Sequence, residues 1–410
     1  MPKTIQKNKK AISPPAVLLS RRVKIQVIGL GGGGIAIISE MADVLKGVNF
    51  LAVDSDIKSF KRIKKGIKTF QLGEKLIGGM GTGMNADLAQ KAALEEKEKI
   101  IRQIKDQDLI VFVGALGGGA ASGAAPIFAE LAAEQKIITV GIFTLPFSFE
   151  GEKKMRLAKK ALTVLEEKLS GTIAVPNERI FLLIDKKTPL KKSLSILNKT
   201  FAFWLNDLLQ VIVRPGLINI DFADLKTILE KRGKKLFFGQ GVSQGPLRAE
   251  EVVKNIFQSP FVDGVPKNVK RILFNITGGK DLGLKEVETI SNNIAALNPK
   301  AKIIFGITEL PSFQGRVKII LLAVCDDETA NEGEEAGGAV VVRTKQDGNG
   351  GKAAKKGKAA KNNKAHKPER KIRRSAVEVK QAEEEEKDRE WEREADWEMP
   401  AFLRKKNQEL

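Results

Sequence analysis

LIVFVGALGGGAASGAAP, residues 109–126, decides how this chain folds. The apolar run from Leu109 to Ala115 reads as a buried strand, and it feeds into Gly117-Gly118-Gly119 before an alanine-rich stretch that reads as a helix after Gly123. Glycine removes side-chain bulk, so backbone N–H groups at a strand-to-helix junction are free to point at an anion, phosphate above all. A tight turn uses the same residues, and the cluster alone is equally consistent with either.

Working outward, the same order recurs. VKIQVIGL (23–30) reads as a strand, GGGGIAIISEMADVL (31–45) as a glycine loop opening a helix, and NFLAVDSD (49–56) as a second strand ending in Asp54 and Asp56. Residues 86–104 look helical and KIITVGIFTLP (136–146) is another strand. Repeated strand, glycine loop and helix predict a parallel sheet covered by helices, with ligands beyond the carboxyl ends of its strands. A long helix is predicted from Pro189 to about Val213, with Leu194, Leu197, Phe201, Trp204 and Leu208 spaced three or four apart and Arg214-Pro215-Gly216 ending it. Beyond Gly239 a second set follows: a helix near 248–258, strand RILFNIT, a helix over 283–296, and strands KIIFGIT and VKIILLAV, together a smaller α+β domain on the long helix.

The resulting division is a basic tail (1–21), a nucleotide-binding domain (22–187), a central helix (188–213), an α+β domain (214–325), a disordered basic linker (326–378), a charged segment around Trp391 and Trp397 (379–398), and a terminal peptide (399–410). With 42% hydrophobic residues over 410 positions, two domains with real cores are attainable. Much of the formal charge of +20 sits in the linker and the tail, which predicts simply solvated segments or, as the alternative, segments attracted to anionic lipid or nucleic acid; it does not make the folded part a nucleic-acid reader. Cys325 is the single cysteine, excluding an intramolecular disulfide or a cysteine zinc cluster, and His366, the single histidine, excludes histidine-dependent triads in the folded part. No segment is long and apolar enough to span a bilayer, and AVLLS near the start is too short for a signal-peptide core, so a cytoplasmic protein is expected.

Gly29, Gly31 and Gly34 fit G-x-G-x-x-G with Asp54 and Asp56 about twenty residues on, the dinucleotide fingerprint of an NAD-dependent oxidoreductase. Two glycine loops on adjacent strands suit one triphosphate better. In PGLINIDFADLKTIL, a helix starting near Asp221 puts Asp221 and Asp224 on one face at its N-terminal end. Such acids cap the helix, or orient a water and take its proton during phosphoryl transfer.

VIGLGGGG, GGGAASGAAP, PFSFEGEKK, VPNERI, PGLINIDFADLKTI, NITGGKDLGLKEV and IIFG resemble, in order and spacing, the FtsZ family of bacterial tubulin-like division GTPases over residues 22–325. The resemblance implies a tubulin/FtsZ-like fold, GTP or GDP with Mg2+ between the glycine loops, head-to-tail homopolymers at the division site, and hydrolysis at the subunit interface. It further implies that Asp221 and Asp224 polarise the attacking water and Asn219 positions it, in the neighbour's nucleotide site. Nucleotide contacts fall by similarity on Gly31, Gly32, Gly33, Gly34, Ile35 and Ala36 in the first loop and Gly117, Gly118, Gly119, Ala120, Ala121, Ser122 and Gly123 in the second. Glu150 would meet the ribose and Asn177 the sugar or base. Ala120 and Ala121 stand where the family has threonine and glycine, Ile35 and Ala36 where it places glycine or asparagine, Lys154 where it has arginine, and Asn198 where an acid reads guanine. These departures predict weaker affinity or relaxed base preference. A filament protein of the same fold that does not hydrolyse nucleotide is the alternative. MPAFLRKK resembles the family's terminal peptide for membrane-tethering partners, with Met399, Pro400, Phe402, Leu403, Arg404 and Lys405 as its contacts.

Overall fold

Strands β1 (Ile25–Leu30), β2 (Asn49–Asp54), β3 (Ile67–Gln71), β4 (Leu109–Ala115), β5 (Ile138–Leu145) and β6 (Gly171–Pro176) lie parallel in the order β3-β2-β1-β4-β5-β6. The computed structural model describes residues 23–325, apart from 186, 214, 215, 259–264 and 267, and all of the tail, linker, charged segment and terminal peptide lie outside the described residues. Along β1 every residue is buried because both faces are covered. Ile25 and Val27 pack with the face that α1 (Gly31–Val44) covers, and Ile28 and Leu30 join the opposite face, under α3 (Ala86–Glu95), α4 (Lys97–Ile104), α5 (Gly119–Glu134) and α6 (Glu152–Lys168); a short α2 (Glu74–Ile77) lies between β3 and α3.

The helical run over 86–104 breaks at Glu96, whose carboxylate accepts from Gly73 N–H at 2.9 Å and from Lys99 at 2.9 Å. That buried side chain ties the break to the loop before α2. Helix α5 begins at Gly119 rather than after Gly123, because the turn needs only one left-handed residue, Gly117 at φ 95°.

Helix α7 (Leu190–Val213) follows the predicted long helix, with Leu197, Phe201, Trp204, Leu205 and Leu209 buried. Trp204 packs against Phe201 and against Phe238 of β7 (Lys235–Gln244), ring centroids 5.9 and 5.1 Å apart. After α8 (Phe222–Ile228) come β7, α9 (Arg248–Phe257), β8 (Val269–Gly278), α10 (Leu284–Ala295), β9 (Lys302–Glu309) and β10 (Arg316–Cys325). Strand β10 pairs antiparallel with β7 and β8, and β8 pairs parallel with β9. One register pair, Thr172 with Lys235, joins β6 to β7, so a single ten-stranded sheet runs through both halves. Within the α+β domain expected over 214–325, the sequence pattern starts a second set of elements only beyond Gly239, whereas β7 begins at Lys235 and also includes Gly241, where an added Cβ would stand 2.3 Å from the Val252 carbonyl of α9.

Candidate functional site

A cavity of about 800 Å³ opens at the carboxyl ends of β1, β2, β4 and β5, the place a parallel sheet assigns to ligands. Gly31, Gly32 and Gly33 line it after β1, Asp54, Ser55 and Asp56 at the end of β2, Ala115 and Leu116 at the end of β4, and Thr144 and Pro146 at the end of β5. It is bounded by the N-termini of two long helices, α1 and α5, and neither has a side-chain cap or an acid in its first turn. Their unpaired N–H groups and positive dipole ends suit an anion. Phe147 and Phe149, stacked at 4.8 Å, and Leu190, Leu194 and Leu197 of α7 add apolar walls for a flat ring.

Of the residues singled out from sequence, Gly31, Gly32, Gly33, Ala36, Gly118, Gly119, Ala120, Ala121, Glu150, Lys154, Asn177 and Asn198 line this one cavity. Gly34, Ile35, Gly117, Ser122 and Gly123 do not, and each has another task. An added Cβ at Gly34 would stand 2.5 Å from the Val113 carbonyl and at Gly123 2.0 Å from that of Ala86, so both glycines allow helix packing. Ile35 is core. The Ser122 hydroxyl accepts from Gly117 N–H at 2.9 Å and so turns back into its own loop. Ala120 and Ala121 sit in ordinary helical backbone, so the methyl of Ala121 meets no left-handed strain.

Every carboxylate lining the cavity is engaged. Asp54 accepts from Ser55 N–H at 2.7 Å and from the Ser59 hydroxyl at 2.6 Å, and Asp56 accepts from Lys58 N–H at 2.8 Å. Glu150 accepts from Phe147 N–H at 2.8 Å and pairs with Lys154. Asn198 donates its amide N–H to Glu40 of α1 at 3.3 Å. Sequence reading missed the segment Met80–Met84, Phe147, Phe149, Ser59 and the three leucines of α7. The signal for the first was present: Gly78, Gly79, Gly81 and Gly83 form a third glycine cluster, each with positive φ. Ser55, 1% exposed, is among the residues lining the cavity, and its buried hydroxyl has no partner among the described residues. An all-oxygen set of Asp54, Ser55, Asp56, Ser59 and Thr82 fits a hard cation such as Mg2+. No three His, Cys, Asp or Glu converge on a metal among the described residues, so such a cation would be held chiefly by ligand phosphate.

Asn219, Asp221 and Asp224 do not line this cavity. They sit on a turn pinned to β9, where Leu217 and Ile218 N–H both donate to the Ile307 carbonyl (2.8 and 3.2 Å) and Ile307 N–H donates back to Ile218 (2.9 Å). Asp221 caps α8 by accepting from Asp224 N–H at 2.9 Å, and Asp224 accepts from Asp221 N–H at 3.0 Å, a reciprocal capping box. Each thereby commits one carboxylate oxygen and keeps the other. Asn219 accepts from Gly216 N–H at 2.6 Å through Oδ1, a bond that does not engage its NH2 group.

Residues 24–185 match the GTPase domain of the tubulin/FtsZ family, and residues 235–325 match the C-terminal domain of the FtsZ family. The chain is 32% identical over 308 residues to cell division protein FtsZ of Buchnera aphidicola subsp. Acyrthosiphon pisum, a match covering 74% of this chain and 80% of that protein. The same protein from Buchnera aphidicola subsp. Schizaphis graminum is 32% identical over 310 residues, covering 75% and 80%. Among solved structures, an empty FtsZ dimer from M. jannaschii aligns with a TM-score of 0.66 at 30% identity, over 75% of this chain and 89% of that one. CetZ2 from Haloferax volcanii, a GTPγS-bound protofilament, shares the fold with a TM-score of 0.62 at 18% identity, over 73% and 92%.

Proposed function

The chain belongs to the tubulin/FtsZ family, and from that premise we propose that it is a nucleotide-dependent filament protein of cell division whose GTPase centre is completed between two copies. One observation carries the reading. The cavity with the free helix N-termini and the turn with the paired acids are separate features of one chain, and neither by itself can both hold a triphosphate and activate water. A heterologous contact that sets one copy's turn over the next copy's cavity supplies both, and because such a contact does not close, it extends into a filament.

In that arrangement the α1 and α5 N-termini hold the phosphates through backbone N–H groups, with Ala120 and Ala121 offering no hydroxyl of their own. The uncommitted oxygens of Asp221 and Asp224 orient the attacking water and take its proton, and the Asn219 NH2 group positions it. Mg2+, when bound with the nucleotide, neutralises charge on the phosphates. The alternative is a filament that binds nucleotide without cleaving it, and the mutual capping of the two acids is the observation in its favour.

Sedimentation with and without GTP, with released phosphate measured in the same tube over a range of protein concentrations, tests this. Pelleting that depends on GTP and a rate per molecule that rises with assembly are expected; dilute, monomeric protein cleaving GTP at the full rate overturns the reading. Residues 399–410 are proposed to dock a membrane tether through Phe402 and Leu403. Their deletion should leave pelleting intact and abolish recruitment to tether-bearing vesicles, and retained recruitment refutes that assignment.

A further inference from the structure

We propose that Glu40, which does not line the cavity, is a positioning residue that fixes the amide of Asn198 and thereby decides which purines the cavity accepts. This rests on the nucleotide reading given above. With phosphates at the α1 and α5 N-termini, the base meets the apolar walls from Phe147, Phe149 and α7, and Asn198 is the one polar side chain that α7 adds to that lining among the described residues.

The Glu40 carboxylate accepts from the Ser195 hydroxyl at 2.6 Å and from Asn198 Nδ2 at 3.3 Å. An ionised carboxylate has no proton to give, so the amide can face it only with its NH2 group. The orientation of Asn198, 8% exposed, is therefore dictated by chemistry: Nδ2 to Glu40, leaving Oδ1 as the atom it can offer the cavity. Glu40 also accounts for an amide at this position, since an acid at 198 would set two carboxylates in contact, where like charges oppose ionisation.

A single fixed acceptor reads one N–H of a base. Guanine and hypoxanthine both present a ring N1–H, and the 2-amino group that separates them finds no second acceptor on Asn198. Adenine presents an unprotonated ring nitrogen at the same place, acceptor against acceptor. The cavity thus selects 6-oxopurines over adenine and ignores the 2-amino group. Release of the amide by removing Glu40 would let Nδ2 turn inward and donate to adenine.

Equilibrium binding of GTP, ITP and ATP to the full chain with Mg2+ tests this, alongside Glu40→Ala, Glu40→Gln and Ser195→Ala, with thermal melting of each variant to register folding. For the natural chain GTP and ITP should agree within about threefold, and ATP should bind about tenfold or more weakly. Glu40→Ala should cut the GTP-to-ATP ratio by about fivefold or more, Ser195→Ala should shift it less in the same direction, and Glu40→Gln, whose Oε1 still accepts, should restore much of it. Equal weakening of all three nucleotides in Glu40→Ala would assign Glu40 a purely structural role and overturn the inference, as would a GTP preference over ITP of about tenfold in the natural chain. A natural chain that binds none of the three overturns the nucleotide reading on which it stands.

Discussion

The cavity and the acidic turn are built from opposite materials. The cavity is walled by backbone N–H groups, glycine, alanine and aromatic rings, and its carboxylates are each held by N–H, hydroxyl or ammonium donors. The turn is short, tied to one residue of β9, and places two carboxylates at a helix start, each accepting from the backbone N–H of the other residue. On the proposed reading, one surface binds negative charge and the other accepts a proton. The contrast is what supports the proposal that hydrolysis requires a contact between copies, because each surface lacks what the other has.

The largest expected effect breaks the contrast from the turn side. Asp221→Ala and Asp224→Ala should each lower phosphate release by about 100-fold or more while GTP affinity stays within about twofold, as removal of a general base predicts. Each also removes one half of the capping box, at about 1 kcal/mol, so thermal melting separates a lost cap from lost chemistry. Mixing sharpens the test. Gly32 lines the cavity, and no atom lies closer than 3.7 Å to an added Cβ there, so Gly32→Trp should fold and block the cavity. Equal parts Gly32→Trp and Asp221→Ala, each inactive alone, should recover about a quarter of natural turnover, since random head-to-tail assembly pairs a sound turn with a sound cavity at that frequency. No recovery from pelleting mixtures would remove the intermolecular site.

The next effect separates two jobs within one glycine pattern. Gly123→Ala should destabilise the chain by about 1–3 kcal/mol in denaturant midpoint without touching the cavity, since its methyl meets the Ala86 carbonyl. Gly32→Ala should leave stability within about 0.5 kcal/mol and act, if at all, on nucleotide affinity. Smaller again, Ala120→Thr gives the α5 N-terminus a hydroxyl toward the cavity and should tighten GTP several-fold, about 1 kcal/mol, in equilibrium binding.

The two glycine loops of the cavity were legible in the sequence because their makers are local: a strand, then glycine, then a helix, in chain order. The parallel half of the fold and the long helix follow from the same periodicity. Which glycine serves a ligand and which serves packing was not legible, because Gly34 and Gly123 are defined by Val113 and Ala86, residues far along the chain. The partner of Asn198 was hidden for the same reason, since Glu40 lies on α1 and meets α7 only in three dimensions. Strand β7 escaped notice because Gly239 and Gly241 interrupt its apolar pattern, and their reason, the close approach of α9, is tertiary. The turn at Asn219–Asp224 was legible as an acidic helix start, which is what its capping box is; the family resemblance already implied service in a neighbour's site, and the structure adds that these residues line no part of the cavity of their own chain.

The smallest effect concerns pH and the half of the molecule that carries the turn. Arg248 of α9, 6% exposed, donates through Nε and Nη2 to Glu286 of α10 at 2.6 and 2.9 Å, and through Nη1 to Asp281 at 2.6 Å. Asp281 accepts in addition from Gly315 N–H at 3.1 Å, so one guanidinium fastens α9, α10 and the turn before β10. Hydrogen bonding from Arg248 holds both carboxyls below their ordinary values of 3.8 and 4.5, outweighing the burial that opposes it. A carboxyl depressed in the folded state contributes its stability in full above the unfolded value and loses it as pH falls through the folded one. Acid should therefore leave the melting temperature unaffected by this cluster from pH 7 to about 5 and lower it below about 4. Arg248→Met, which removes the cause of both depressions, should melt lower than the natural chain at pH 7, and the gap should narrow in acid as the carboxyls of the natural chain take up protons. A gap that stays constant down to pH 2 would mean that packing of the arginine stem, rather than its two ion pairs, holds this corner together.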